Sequence, residues 1–100
     1  MEEQELYVSV KLSLQRALLG AIYPSIRGIA FGYDGLKKLT LVCYLDREPN
    51  DEDKENLSDI SGYVLGDIEF EQVEEICLFD MKSGNKLNSF KGWVYFRKES

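Results

Sequence analysis

The sequence has no histidine and is poor in cysteine, with two among 100 residues. Histidine most often supplies the general base or the metal ligand near neutral pH, so its absence argues against both roles. Cys43 and Cys77 are thirty-four residues apart, which does not match the close ligand spacing of a zinc site. Neither cysteine has a basic neighbour that would activate a thiolate, so we expect buried, reduced thiols.

Long apolar runs and recognisable binding loops are also missing. No apolar run exceeds a few residues, and the acidic start Met1–Glu5 lacks the basic and apolar regions of a signal peptide. This predicts a cytoplasmic protein without a membrane segment. Asp46–Leu57 begins like a calcium-binding loop, but Asp51 and Leu57 stand where that loop needs glycine and glutamate. The two glycine pairs of Gly-x-x-x-Gly spacing lack the residues of a phosphate-binding loop. We therefore expect no catalytic residue, no cofactor and no metal site.

What the sequence has in excess is acid, concentrated in its middle. The segment from Asp46 to Glu75, here the acidic segment, reads DREPNDEDKENLSDISGYVLGDIEFEQVEE. It holds twelve of the eighteen acidic residues and two of the twelve basic ones, so its net charge is −10 while the rest carries +4. Like charges crowded on one surface repel each other, and a basic partner would relieve that repulsion. The overall charge of −6 disfavours nucleic acid as the partner, because its phosphates are repelled.

Residues 4–19 fit two apolar patterns. Their first half alternates apolar and polar side chains as a strand does, while Val10, Leu14 and Leu18 have helical spacing. The second half has good helix formers and ends at Gly20, a typical C-terminal stop. The first half alone fits either structure, and we predict one helix over the whole stretch. Three polar side chains of this helix are then expected to face water: Ser9, Ser13 and Arg16.

The next two elements read as a hairpin. Residues 26–33 and 37–45 alternate in hydrophobicity, and Asp34-Gly35 between them is a strong turn signal. One face of the first strand carries only glycine and alanine, so another part of the chain can approach it closely.

A second helix follows inside the acidic segment. Asn50 is a plausible N-cap, and the acids after it suit the positive end of a helix. Helical spacing predicts one buried face, formed by Leu57, Ile60, Ser61, Val64 and Ile68. The opposite face carries Glu52, Glu55, Asp59, Gly62 and Gly66.

The C-terminal third predicts two more strands, residues 71–80 and 91–97, joined as a hairpin by a polar loop over residues 81–89. The element order is then α-β-β-α-β-β in a single domain of 100 residues. The expected fold is α+β, a four-stranded, mostly antiparallel sheet with two helices on one face, since that arrangement buries both apolar stripes.

Four segments of the chain resemble a known family: SLQRALLGAIYPSIRGIAFGYD, LVCYLDREPNDEDKENLSDISGYVLGDI, EEICLFD and GWVYFRKE. They are similar to small acidic bacterial immunity proteins of contact-dependent growth inhibition and related polymorphic toxin systems. The resemblance covers most of the chain, from about Ser13 to Glu99, and it rests on overall pattern rather than on a catalytic signature. It implies a protein that is not an enzyme and that binds the C-terminal domain of a cognate toxin, often a nuclease, in the cytoplasm.

An acidic surface suits such a partner, because a nuclease site is basic in order to hold phosphates, and opposite charge also steers association. Two aromatic residues, Tyr63 and Tyr44, are candidate anchors because tyrosine is enriched at binding hot spots. The acidic contact residues expected from the sequence are Asp46, Glu48, Asp51, Glu52, Glu55, Asp59, Asp67, Glu69 and Glu71.

Three other function classes stay open. An adaptor or regulatory subunit would bind a different basic protein, and the presence of a toxin gene immediately upstream distinguishes the two. A small enzyme would use paired carboxylates, although a chain of this length has little room to build a cleft around them. A nucleic-acid binder would stack single-stranded RNA on aromatic side chains that stand among bases. The residues of that pattern are Trp93, Tyr95, Phe96, Lys91, Arg97 and Lys98.

Overall fold

The computed structural model describes residues 2–79 and 91–97. The predicted loop of residues 81–89 and the base Lys98 lie outside this range. The predicted order α-β-β-α-β-β is confirmed. The elements are α1 (Glu3–Ala17), β1 (Ile26–Asp34), β2 (Lys38–Leu45), α2 (Asp51–Asp67), β3 (Gln72–Phe79) and β4 (Gly92–Phe96).

Helix α1 forms over both halves of the ambiguous N-terminal stretch, because its helical stripe of Leu6, Val10 and Leu14 is buried in the core. Gly20 follows the helix with a φ of 80°, a left-handed conformation that glycine adopts without strain. The prediction that Ser13 faces water is wrong. Its side chain is buried, and its hydroxyl donates a hydrogen bond to Asp67 Oδ2 at 2.7 Å, which joins α1 to the end of α2.

Strands β1 and β2 form the predicted antiparallel hairpin, in which Ile29 pairs with Cys43 and Phe31 with Leu41. Gly35 takes a φ of 51° in the turn. The large side chains of this hairpin face both helices and make the main core. On the other face, a Cβ added at Gly28 would lie 2.8 Å from Cζ3 of Trp93, so the small face of β1 receives an indole ring.

The sheet is mixed, with strand order β3-β2-β1-β4. Strands β1, β2 and β4 pair antiparallel, whereas β3 runs parallel to β2, so the sheet is mostly antiparallel as predicted. The predicted hairpin of β3 and β4 is wrong, since these strands lie at opposite edges of the sheet. Parallel neighbours need a long crossover connection, and α2 supplies it between β2 and β3.

The cysteines are free, as expected, and they are register partners on β2 and β3. Cys43 is buried as predicted, but the prediction of a buried Cys77 is wrong, because Cys77 lies on the edge strand β3 and is only partly covered. Contact with Cys77, together with burial, raises the pKa of the Cys43 thiol, which keeps it protonated and unreactive. Within residues 2–79 and 91–97, no helix combines the length and the apolar character needed to cross a membrane.

Candidate partner-binding surface

Helix α2 begins with a complete capping box, which fixes where the acidic segment turns into a helix. The Asn50 side chain accepts a hydrogen bond from the Asp53 backbone N–H at 3.0 Å, and the Asn50 N–H donates to Asp53 Oδ2 at 2.8 Å. Two N–H groups that a helix start leaves without partners are thereby satisfied. The predicted N-cap is confirmed.

Asp53 is the buried carboxylate of this helix start, with 1% of the residue exposed. Arg47 donates to it twice, from Nη1 to Oδ2 at 2.6 Å and from Nη2 to Oδ1 at 3.0 Å. The Tyr23 hydroxyl donates to Oδ1 as well. Arg47, aided by Tyr23 and the Asn50 backbone N–H, lowers the pKa of Asp53 to about 2. Burial and the bond to Asp53 raise the pKa of Tyr23.

This hydrogen-bond network connects the start of α2 to two loops of the chain. Tyr23 comes from the connection between α1 and β1, and Arg47 from the one between β2 and α2. Asn56 adds a hydrogen bond from Nδ2 to the Ala21 carbonyl at 3.0 Å. The orientation of α2 is thus fixed by polar contacts at its N-terminal end in addition to its apolar face. The sequence reasoning missed Tyr23 and Arg47, because no local pattern pairs them with Asp53.

The outward face of α2 carries acids that contact no other described side chain through an ion pair. Glu52, Glu55 and Asp59 are all exposed and follow one another at helical spacing along this face. Tyr63 continues the same line one turn later and is 48% exposed. Gly62 and Gly66 beside it have open space where a Cβ would stand. The predicted outer face of α2 is therefore confirmed.

The remaining predicted acids lie at the two ends of this helix. We define the acidic surface as the exposed acids on α2 and on the segments that enter and leave it, except Asp46, whose carboxylate is paired with Arg97. Its members are Glu48, Asp51, Glu52, Glu55, Asp59, Asp67, Glu69 and Glu71. Since α2 has 17 residues, the surface extends over about 25 Å at 1.5 Å per residue. The structure thus leaves most of the predicted contact acids exposed, and helical spacing places Glu52, Glu55 and Asp59 on one face of α2.

Three of the predicted contact residues already have partners within the protein, and the first is Asp67, which accepts from the Ser13 hydroxyl. Asp46 is exposed, but its Oδ2 accepts from Arg97 Nη1 at 2.7 Å. Tyr44 is 4% exposed and packs against Trp93, with ring centroids 5.7 Å apart, on the sheet face opposite the helices. Of the two predicted anchors, Tyr63 is therefore the accessible one.

Two acids that the sequence reasoning did not select lie on β3, beside α2. The Ser61 hydroxyl donates a hydrogen bond to Glu75 Oε2. Glu74 points to the other face of the sheet and pairs with Lys38 at 3.3 Å. Both acids are exposed, but the charge of Glu74 is paired with Lys38, so Glu75 is the acid that extends the negative charge of α2 toward the edge of the sheet.

Residues 2–79 and 91–97 hold no group of three or more His, Cys, Asp or Glu side chains placed to bind a metal ion. The same residues contain no buried side-chain nitrogen or oxygen without a hydrogen-bond partner. A shallow cleft of about 510 Å³ on the open sheet face is lined by the paired Lys38 and Glu74.

The aromatic residues of the RNA-binding pattern do not share one face. Trp93 is the register partner of Ala30 and lies on the open face of the sheet, the face opposite the helices. The Phe96 ring is edge-on to the Trp93 indole, with ring centroids 4.8 Å apart. Tyr95 pairs with Ile29 and packs against the main core instead. Arg97 is bound to Asp46 and to the Pro24 carbonyl. The described part of the pattern therefore forms no continuous stacking platform.

Comparison with known proteins identifies a family over nearly the whole chain. Residues 7–99 match the model of the MafI2 immunity protein family. Curated protein sequences contain no match to this chain. The resemblance to bacterial toxin immunity proteins is thereby confirmed. The chain belongs to the MafI2 immunity protein family.

Proposed function

We propose that this chain, acting as a single domain over residues 1–100, binds a cognate toxin domain through the acidic surface and neutralises it in the cytoplasm. Family membership implies a toxin partner. The observation that carries the choice of surface is the outward face of α2, where Glu52, Glu55 and Asp59 stand exposed with no base paired to them among the described residues. The protein acts by binding and carries out no catalysis.

The chemistry of the surface favours a basic partner, and we propose a nuclease. A nuclease must hold phosphates, so its active site and the groove leading to it are positively charged. A row of carboxylates along a rigid helix matches that charge at several points and excludes nucleic acid from the same place. Opposite charge also raises the association rate, to the order of 10⁸ M⁻¹s⁻¹ at low salt.

Tyr63 supplies the apolar contact that charge alone does not provide. Its ring is 48% exposed on the same face as the acids. A tyrosine buries a large area with little loss of conformational freedom, which makes it a frequent hot-spot residue. The neighbouring Gly62 and Gly66 leave the helix backbone open to close approach. The proposed centre of the interface is therefore Tyr63, with acids on both sides.

The direct test is co-purification with the C-terminal domain of the toxin encoded by the gene immediately upstream, as in contact-dependent growth inhibition and related systems. We expect a stable complex and loss of nuclease activity when the two are mixed in equal amounts. An upstream product that is neither toxic nor bound would contradict the proposal and would favour an adaptor for another basic protein. If the toxin binds but has no nuclease activity, the proposed immunity function stands and the proposal that the toxin is a nuclease is wrong.

A further inference from the structure

The two edges of the sheet differ in regularity. Strand β3 pairs with β2 over all eight of its residues, from Gln72 to Phe79, with no shift in register. At the other edge, β4 has five residues, and its pairing with β1 shifts between Ile29 and Ala30. A long, regular edge strand is a ready template for pairing with another chain, whereas bulges and short length protect an edge. In the described structure no strand lies on the outer side of β3.

The backbone groups of β3 that face outward follow from its hydrogen bonds. The Gln72 N–H donates to the Lys37 carbonyl at 2.9 Å, so it points toward β2. Successive residues of a strand direct their backbone N–H and C=O groups to alternate sides. The backbone groups of Glu74 and Ile76 therefore also point toward β2. Val73, Glu75 and Cys77 then present their N–H and C=O groups at the outer edge.

Charge distinguishes the two edges and selects the occupant. Glu75 lies on β3 together with Glu74, which is paired with Lys38, and Glu71 directly precedes the strand. The β4 edge carries the bases Lys91 and Arg97 instead, and these are paired with Glu3 and Asp46. A second copy of this chain on β3 would bring its own glutamates against these ones, and like charges on adjacent strands destabilise pairing. An extended segment rich in lysine or arginine would meet the glutamates with opposite charge.

We propose that β3 accepts an extended, cationic segment of the toxin domain as a fifth strand of the sheet, beside the acidic surface of α2. This inference rests on the proposed function and adds how the partner is held. Main-chain hydrogen bonds along the outer edge would provide affinity, and the glutamates would select basic side chains. Because Ser61 on α2 bonds to Glu75, one partner segment at this edge would also lie next to the helix.

The test compares Glu75→Pro with Glu75→Ala, using the toxin domain encoded immediately upstream as the probe. Both variants lose the carboxylate and its bond to Ser61, but only proline also removes the outward N–H and places a ring there. Proline is tolerated at such an edge position because the N–H does not serve the ladder to β2. We expect Glu75→Pro to bind about tenfold or more weakly than Glu75→Ala, since the partner then keeps an unpaired carbonyl. Equal affinities would overturn the inference.

A second measurement uses the unaltered protein and does not depend on how the variants fold. Amide hydrogen exchange by NMR is compared for the free protein and for its complex with the same toxin domain. We expect the amides of Val73, Glu75 and Cys77 to exchange at least about tenfold more slowly in the complex, because they become hydrogen-bonded. A complex that leaves these amides unprotected would overturn the inference while the proposed function stands. Absence of any complex would overturn both.

Discussion

Glu52 and Asp53 are neighbours in the first turn of α2, yet they belong to different parts of the molecule. Asp53 is buried and accepts hydrogen bonds from Arg47, Tyr23 and the Asn50 backbone N–H. Glu52 faces solvent and begins the exposed line that continues through Glu55. The inner carboxylate fixes the helix, and the outer ones remain for a partner. In an acidic segment, the role of each acid is therefore decided by which base or donor the fold brings to it.

The strongest way to separate these roles is to reverse the charge of the outer acids. We expect the triple variant Glu52→Lys, Glu55→Lys, Asp59→Lys to keep its fold, because all three side chains are exposed. Its affinity for the toxin domain should fall by several kcal/mol, on the order of 4, since three attractive contacts become repulsive. Isothermal titration calorimetry measures the affinity, and circular dichroism checks the fold.

A matched control reverses three exposed acids elsewhere. The variant Glu2→Lys, Glu5→Lys, Asp34→Lys has the same net charge but leaves α2 unchanged. Its affinity should remain within about tenfold of the original, because separated surface charges are screened by salt. An equal loss in both triple variants would mean that overall charge, and not the outward face of α2, governs binding.

The inner carboxylate should govern stability instead. We expect Asp53→Asn to lower the free energy of unfolding by about 3 kcal/mol, because Arg47 and Tyr23 lose the charged group they bind. Urea denaturation measures the loss. Asp51→Asn, in the same turn but exposed, should change stability by less than about 1 kcal/mol. Similar losses in the two variants would remove the distinction between inner and outer acids.

Low pH should weaken the contacts of Asp53 with Arg47 and Tyr23. The pKa of Asp53 is lowered to about 2 from an ordinary value of 3.8, so its ionised form stabilises the fold fully above about pH 4. This contribution, about 2 kcal/mol, is lost as the pH falls from 4 toward 2 and the carboxylate takes up a proton. Urea unfolding at several pH values should show this loss in the original protein. In Asp53→Asn the corresponding part of the pH dependence should be missing; if it persists, another carboxylate is responsible.

Asp67 lies between the two roles, since it is exposed and yet accepts a hydrogen bond from the buried Ser13 at 2.7 Å. Ser13→Ala should lower the free energy of unfolding by about 1 kcal/mol, because a hydrogen bond to a charged group is lost. Ser9→Ala on the same helix serves as the control and should have almost no effect. Thermal denaturation monitored by circular dichroism measures both. If Ser13→Ala leaves stability unchanged, Asp67 belongs with the outer acids alone.

Periodicity predicted the parts of this fold that are local. Helical spacing gave both helices, and alternation with the Asp34-Gly35 turn gave the β1–β2 hairpin. The partner of β3 was not predictable in this way, because the loop signal over residues 81–89 favoured a hairpin with β4. The crossover through α2 placed β3 beside β2 instead. Pairing between distant strands depends on the whole chain, and no short window of sequence records it.

The candidate surface follows a similar division. The exposed acids of α2 were predictable, since one helical face collects them whatever the remainder of the fold does. Burial of Ser13 and Tyr44 was not, because each is covered by an element distant in sequence. The same holds for the contact of Arg47 with Asp53, in which a short loop folds back onto a helix start. Contacts of this kind appear only with the three-dimensional structure.

The packing of the Trp93 ring against Gly28 has a practical consequence for all of these measurements. It is the single tryptophan of the chain, and it lies against Tyr44 and Phe96 on the sheet face turned away from α2. Its fluorescence emission therefore reports whether β1, β2 and β4 are assembled. A toxin domain that docks on the acidic surface should leave that emission nearly unchanged. One optical signal in the native sequence thus separates a variant that fails to fold from one that folds but fails to bind.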